Sequence, residues 1–323
     1  MSIDIVTTFL ERAPHDPASA WNYTDVTDLA AMTIPPALFG DQESLLRGDQ
    51  HRLWLRWFLE GLVSPHTVAS DPTLGRLDVF AAVLSRVSNL YPLIDIERRR
   101  RLTDTITNHI FAEVQRLRRG TARDYATAST KLALIAGSTP PRCYICGFAF
   151  SREAQDAFLN VKGRNSVQLP LLVDVFRPRG LVERDIKIEV DHLVPVAIGG
   201  SGQANLRLAC GWCNKHKSAR VSLYEAAFMA PRTQGFSIGQ RSFHELPNPF
   251  WAIRILALRG RCQHVGGCQR TAADAELFIS LGDWLGSPNP TNLAVHCFVH
   301  DPIAADRMQE RLSVERLWRE RKG

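Results

Sequence analysis

No stretch of this chain approaches the ~18 consecutive apolar residues that a membrane-crossing helix needs, so the expectation is a protein with no membrane partner. The opening residues, MSIDIVTTFLERAPHD, lack the basic-then-apolar order of a secretory signal. Cysteine is scarce, seven in 323 residues, and its close pairs favour metal ligation over disulfides, which argues for a reducing, cytoplasmic setting. There is no acidic excess either. The net charge of +6 is a moderate surplus, compatible with a polyanionic partner without demonstrating one. Apolar content of 45% and charged content of 22% are those of an ordinary globular protein, and the length allows two or three domains.

What is present concentrates in residues 187–218, KIEVDHLVPVAIGGSGQANLRLACGWCNKHKS. A β-branched run ends in Asp191-His192. A second apolar run (193–198) leads into a Gly/Ser loop (199–202). Asn205 opens a short strand-like run, and Cys210-x-x-Cys213 follows with Asn214, His216 and Lys217 behind it. Two cysteines at this spacing can hold half of a tetrahedral zinc site. Cys143-x-x-Cys146 upstream offers the other half, and a repeated pair is a strong zinc signature. Four protein ligands make such a site closed and structural. Chemistry therefore falls to the neighbours. Asp191 and Asn214 are hard oxygen donors of the kind magnesium accepts. His192 titrates near neutrality and is placed as a general base.

These residues resemble the HNH, or ββα-metal, endonucleases. Asp191-His192 matches the first motif position, Asn205 the second, and Asn214 the third in the variant where Asn replaces the last His. The two Cys-x-x-Cys pairs resemble the zinc knuckles many members carry. The likeness covers about residues 143–220, with a long insert between Cys146 and Asp191. It implies hydrolysis of DNA phosphodiester bonds with 5′-phosphate products. His192 would act as base and Asp191 with Asn214 as ligands of Mg2+ or Mn2+. Asn205 would hold the loop behind His192. His216 is an alternative or additional ligand.

The remaining sequence contains an echo. Asn292-Leu-Ala-Val-His-Cys297 mirrors Asn205-Leu-Arg-Leu-Ala-Cys210, and Cys297-x-x-His300 stands where Cys210-x-x-Cys213 stood. With Cys262 and Cys268 this predicts a second zinc site, with His264 or His296 as substitute ligands. Asp283-Trp284 falls near the place of Asp191-His192, and Asp301 near that of Asn214. The echo therefore reads as a degenerate HNH-like module that keeps structure, DNA grip or a dimer contact. Trp284 is a candidate for stacking on a base, though core packing is the commoner use.

The first 136 residues read as mostly helical. Amphipathic runs span 44–62, 77–90, 104–118 and 122–136, with a shorter one near Ile5, Phe9 and Leu10. Residues 137–141 are a Gly/Ser/Pro linker. Residues 151–159 suggest a short helix and 169–176 a strand or packing segment. Residues 177–180 (Arg-Pro-Arg-Gly) read as a basic turn, a phosphate contact or simply a surface turn. Helix is expected from 219 to 229, a connector from 231 to 249, and a final basic helix over 304–321. Basic runs at 98–101, 116–119 and 316–322 ordinarily mean solvated helix faces; beside a nuclease motif they could also meet phosphates.

The fold expected is α+β. A helical domain at 1–138 serves recognition or partner docking. A zinc-stabilised ββα-metal HNH domain follows at 139–230, and a second zinc-binding HNH-like module at 248–323. The function expected is a metal-dependent endonuclease of restriction or phage-defence type. Its partner would be DNA, double-stranded by preference; a homodimer or a second defence subunit is compatible with it. A zinc-dependent nucleic-acid-binding or interaction protein without catalysis is the alternative.

Overall fold

Several helices start where the sequence supplies a cap. Ser64, Thr127 and Ser151 each accept a hydrogen bond on the side-chain oxygen from the N–H three residues on, satisfying one of the orphan donors of a helix start. At Gly75 the Asp78 carboxylate reaches back to the backbone N–H at 2.6 Å. The computed structural model describes residues 3–13, 16–118, 126–161, 163, 166–195, 202–227 and 235–320. Several expectations fall outside them in whole or part. They are the apolar run beyond 195, the Gly/Ser loop at 199–201, the basic residues at 119–123, residues 228–234 and the last residues of the basic tail.

The first part is helical, as its periodicity predicts: α1 (Ile3–Arg12), α2 (Tyr23–Ala30), α3 (Glu43–Leu62), α4 (Pro65–Ser70), α5 (Arg76–Leu90), α6 (Ile96–Arg118) and α7 (Ala128–Ala136). Val79, Val83 and Val87 recur every four residues on α5 and meet Ile106, Ile110 and Val114 of α6, with Val68 of α4 closing one core. The Arg118 guanidinium ties the end of α6 to the carbonyls of Val68, Asp71 and Leu74. Its neighbour Arg116 pairs with Glu113. Of the run at 98–101, Arg98 pairs with Asp95, and Arg99 donates to the carbonyls of Pro92 and Ile94.

Beyond α7 come α8 (Arg152–Phe158), β1 (Leu172–Asp174), α9 (Glu183–Ile186), β2 (Ile188–His192), β3 (Leu206–Cys210) and α10 (Gly211–Lys217). Then follow β4 (Phe236–Ile238), β5 (Arg241–Phe243), α11 (Pro249–Arg259), β6 (Leu277–Leu281), β7 (Leu293–Cys297), α12 (Ala304–Arg307), β8 (Met308–Glu310) and α13 (Arg311–Arg319). The architecture is α+β, with small antiparallel pairs β1–β8, β2–β3, β4–β5 and β6–β7. Buried residues from both cysteine-bearing halves, including Cys146, Cys213, Ile255, Leu277 and Cys297, belong to one hydrophobic core. The helical part docks on it through α3. Asp49 accepts from the Leu223 N–H at 2.7 Å and from Arg254 at 2.6 Å, and Gln42 donates to the Leu293 carbonyl at 2.9 Å.

Three expectations are corrected here. Helix does not continue over the described residues 219–227: α10 stops at Ser218, which takes a left-handed φ of 51°, and among them only a 3-10 turn at Leu223–Glu225 follows. The connector holds the β4–β5 hairpin. The final helix is broken, because Met308–Glu310 leave it to pair with Leu172–Asp174. Among the described residues no helix is long and apolar enough to cross a membrane.

Candidate metal centres and the ββα site

Each upstream cysteine pair sits on a short turn that packs against a β-pair, whose second strand ends in the next cysteine. In the first, the Gly147 N–H bonds the Cys143 carbonyl and the Cys143 N–H bonds the Phe148 carbonyl. The Tyr144 N–H then docks on the Leu208 carbonyl of β3. Gly147 has a φ of +72°, and a Cβ there would lie 1.9 Å from the Ala275 carbonyl oxygen, so only glycine fits. Cys143, Cys146, Cys210 and Cys213 are fully buried. Their sulfurs form one cluster that could hold a metal ion, every ligand atom lying within 4.8 Å of the others. Four buried thiols with no disulfide among them are a donor set suited to zinc.

Cys262, Cys268, Cys297 and His300 form the second such cluster. His300 Nδ1 is 3.6 Å from Cys262 Sγ and 3.4 Å from Cys297 Sγ. Tetrahedral zinc places a sulfur and a nitrogen ligand about 3.6 Å apart. The substitutes considered in the sequence are not members of the cluster: the His264 ring stacks on His300 at 3.9 Å, beside it, and His296 Nδ1 meets Ser280 Oγ at 2.6 Å. All seven cysteines are thus taken up by the two clusters.

The two halves repeat each other bond for bond. Tyr144 N–H to Leu208 carbonyl becomes Gln263 N–H to Val295 carbonyl; Leu193 N–H to Asn205 carbonyl becomes Gly282 N–H to Asn292 carbonyl. The register Ile188↔Cys210 through His192↔Leu206 becomes Leu277↔Cys297 through Leu281↔Leu293. This corrects one assignment. The places of Asp191 and His192 are filled by Ser280 and Leu281, not by Asp283 and Trp284. Asp283 matches Val194 instead. Trp284 packs on Phe243 and under the Arg241 guanidinium. Asp301 is bound by the buried Arg307, at 2.5 Å to Nε.

In the first half, strand alternation puts Glu189 and Asp191 on one face of β2 and His192 on the other. Asn214 and Lys217, three apart on α10, meet that first face. Asn214 Nδ2 donates to Glu189 at 2.6 Å, and Lys217 Nζ donates to Asp191 at 2.6 Å. Lys217 also donates to the His192 carbonyl, and the Tyr144 hydroxyl donates to Asp191 at 2.7 Å. Burial, then the Asp191 charge, raises the Tyr144 pKa well above its usual value. Asp191 and Asn214 therefore lie on facing elements, each bonded to a separate partner. His192 is half-buried, and its Nε2 is buried with no hydrogen-bond partner among the described residues. The Asn205 carboxamide bonds both the N–H and the carbonyl of Val194 at 2.9 Å, pinning the turn that leaves His192. His216 packs its ring on Trp212 at 4.6 Å. Sequence reasoning missed Tyr144, Glu189 and Lys217. The signal was available in the two-residue strand spacing and three-residue helix spacing that set these side chains face to face.

The turn at 177–180 is also corrected. Arg177 is 1% exposed and Arg179 is largely buried, so neither lies at the surface to meet a phosphate. No family model, curated protein or solved structure matches this chain.

Proposed function

We propose that the chain is a metal-dependent endonuclease that hydrolyses DNA phosphodiester bonds at the β2–β3–α10 unit. The observation that carries the reading is His192. It sits at the end of β2, next in sequence to Asp191 and ahead of a turn locked by Asn205, with a buried Nε2 that has no hydrogen-bond partner among the described residues. A buried imidazole nitrogen without a partner is costly in a purely structural role and useful to a general base.

The donors at the site fit a hard divalent ion. Asp191, Asn214 and neighbouring Glu189 carry oxygens of the kind such an ion takes; Asp191 is paired with Lys217, and Asn214 donates to Glu189. Asp191 and Asn214 would hold Mg2+ or Mn2+, which when bound offsets the negative charge developing on the phosphate and the leaving oxygen. His192 takes the proton from the attacking water. Asn205 fixes the His192 turn, and Tyr144 and Lys217 fix the Asp191 carboxylate. The two zinc clusters hold the scaffold and do no chemistry. A restriction or phage-defence setting, duplex DNA, and assembly as a homodimer or with a second defence subunit extend the same reading.

One observation favours a second reading, a zinc-dependent nucleic-acid-binding protein without catalysis: Lys217 occupies the Asp191 oxygen an ion would use. Plasmid nicking with Mg2+, Mn2+ or EDTA separates the two. The nuclease cuts only with added metal, and His192→Ala lowers its rate by about 10²–10⁴-fold while DNA binding and zinc content stay unchanged. Binding without any nicking in Mg2+ or Mn2+ would leave only the second reading standing.

A further inference from the structure

A zinc ion held by four thiolates carries two net negative charges, and in this chain that centre is fully buried. Isolated charge in such a place is strongly unfavourable unless matched. Two guanidiniums stand beside it. Arg179 Nη1 lies 3.8 Å from Cys146 Sγ, and the Arg179 guanidinium rests 3.6 Å over the ring of Phe148, within the first knuckle. Arg177 is buried alongside.

What fixes both guanidiniums comes from the other half of the protein. Arg177 Nη2 and Arg179 Nη2 each donate to Glu276 Oε1 at 2.8 Å, just ahead of β6. The next residue, Leu277, donates its N–H to the Cys146 carbonyl at 2.8 Å. Gly147 lies against the Ala275 carbonyl. The segment 275–277 thus closes over the first knuckle and carries the carboxylate that orients its two cations.

A cavity of about 410 Å³ borders the same arginines, together with Phe148, Glu276, Phe278 and Phe298. It does not make them an anion site. Arg177 Nη2 and Arg179 Nη2 are already taken by Glu276, and Arg177 Nε lies 3.9 Å from Asp174. Glu276, on the wall, would repel an anion.

We propose that Arg177 and Arg179, oriented by Glu276, are the counter-charge of the Cys143/Cys146/Cys210/Cys213 zinc centre, and that the second module thereby locks zinc into the first. This assigns the degenerate half a task, and it holds whether or not the protein cuts DNA.

The test is zinc release from the full-length protein to a chromogenic chelator, with cobalt substitution to tell the four-sulfur centre from the three-sulfur, one-nitrogen centre by their spectra. Arg179→Met should speed loss from the four-cysteine centre by about 10–100-fold, the range seen when partners of metal ligands are removed. The Cys262/Cys268/Cys297/His300 centre should keep its wild-type rate. Arg179→Lys, which restores the charge, should recover most of the difference. If Arg179→Met does not fold with zinc present, Arg179→Gln carries the same expectation, since it keeps donors without charge. Equal acceleration at both centres, no acceleration at either, or a purified protein whose four-cysteine centre takes up no zinc overturns the proposal.

Discussion

Lys217 places its ammonium 2.6 Å from the Asp191 carboxylate and also donates to the backbone carbonyl of His192. One side chain from α10 therefore joins both residues at the end of β2. The pair is buried, with Lys217 9% and Asp191 7% exposed, so each charge depends on the other.

Removing Lys217 tests what kind of cation site Asp191 is. Lys217→Met should destabilise the metal-free protein by about 3 kcal/mol, the scale for leaving one member of a buried pair alone. Under the nuclease reading, Mn2+ or Mg2+ then binds the freed carboxylate and raises the melting temperature of the variant by mass action. The wild-type protein, with Lys217 in place, should gain less. Thermal melts with and without metal measure both. A variant whose melting point ignores metal speaks for the non-catalytic reading.

Asn205 and Asn292 offer a paired control. Each carboxamide bonds the N–H and the carbonyl of one residue in the turn after its strand, Val194 and Asp283 respectively. Asn205→Ala and Asn292→Ala should each cost about 1–2 kcal/mol, the net value of one or two such bonds. Under the nuclease reading, only Asn205→Ala should also reduce nicking, because only its turn leads from a histidine. Urea melts and the nicking rate, read on the same preparations, give the two numbers.

Features carried by neighbours in sequence were legible before any coordinates. The cysteine pairs, the Asn292 echo and the α5–α6 valine and isoleucine spacing are local patterns, and each appears where it was expected. What escaped depends on partners far along the chain. The final helix breaks at Met308 because β1, far upstream, claims three of its residues. Arg177 and Arg179 read as surface charge, since nothing nearby announces that a thiolate cluster and Glu276 will enclose them. For the Lys217–Asp191 pair, spacing puts each residue on a face of its own element, and laying α10 on β2 brings the two faces together. Asp283 looked like the counterpart of Asp191 because residue type was matched; the hydrogen-bond ladder matches Ser280.

The Arg307 side chain is fully buried and donates to Asp301, to Asp174 at 2.9 Å and to the Ile279 carbonyl at 2.7 Å. It links β1, β6 and the turn after the second cluster. Arg307→Met leaves buried Asp301 without its cation and Asp174 with only Arg177 at 3.9 Å, and should cost about 3–5 kcal/mol. The loss should shrink in Arg307→Met/Asp301→Leu, which removes part of the uncompensated charge. Denaturant midpoints of the single and double variants decide this, and a double variant no more stable than the single would show that packing, not charge, sets the cost.

Zinc removal should reveal how far the two halves depend on each other. Structural zinc contributes on the order of 10 kcal/mol to small domains that bind it, comparable to a typical domain's whole net stability. Cys210→Ser should therefore release zinc and unfold the first half. Buried residues from both halves share one core, and Leu277 bonds Cys146 directly. Cys297→Ser should then also weaken the first centre, although none of its ligands has changed. The measurement is zinc stoichiometry together with near-ultraviolet circular dichroism. A Cys297→Ser protein that keeps one tightly held zinc and an intact signal from Trp212 would show that the first half stands alone, and the shared core would be packing without cooperativity.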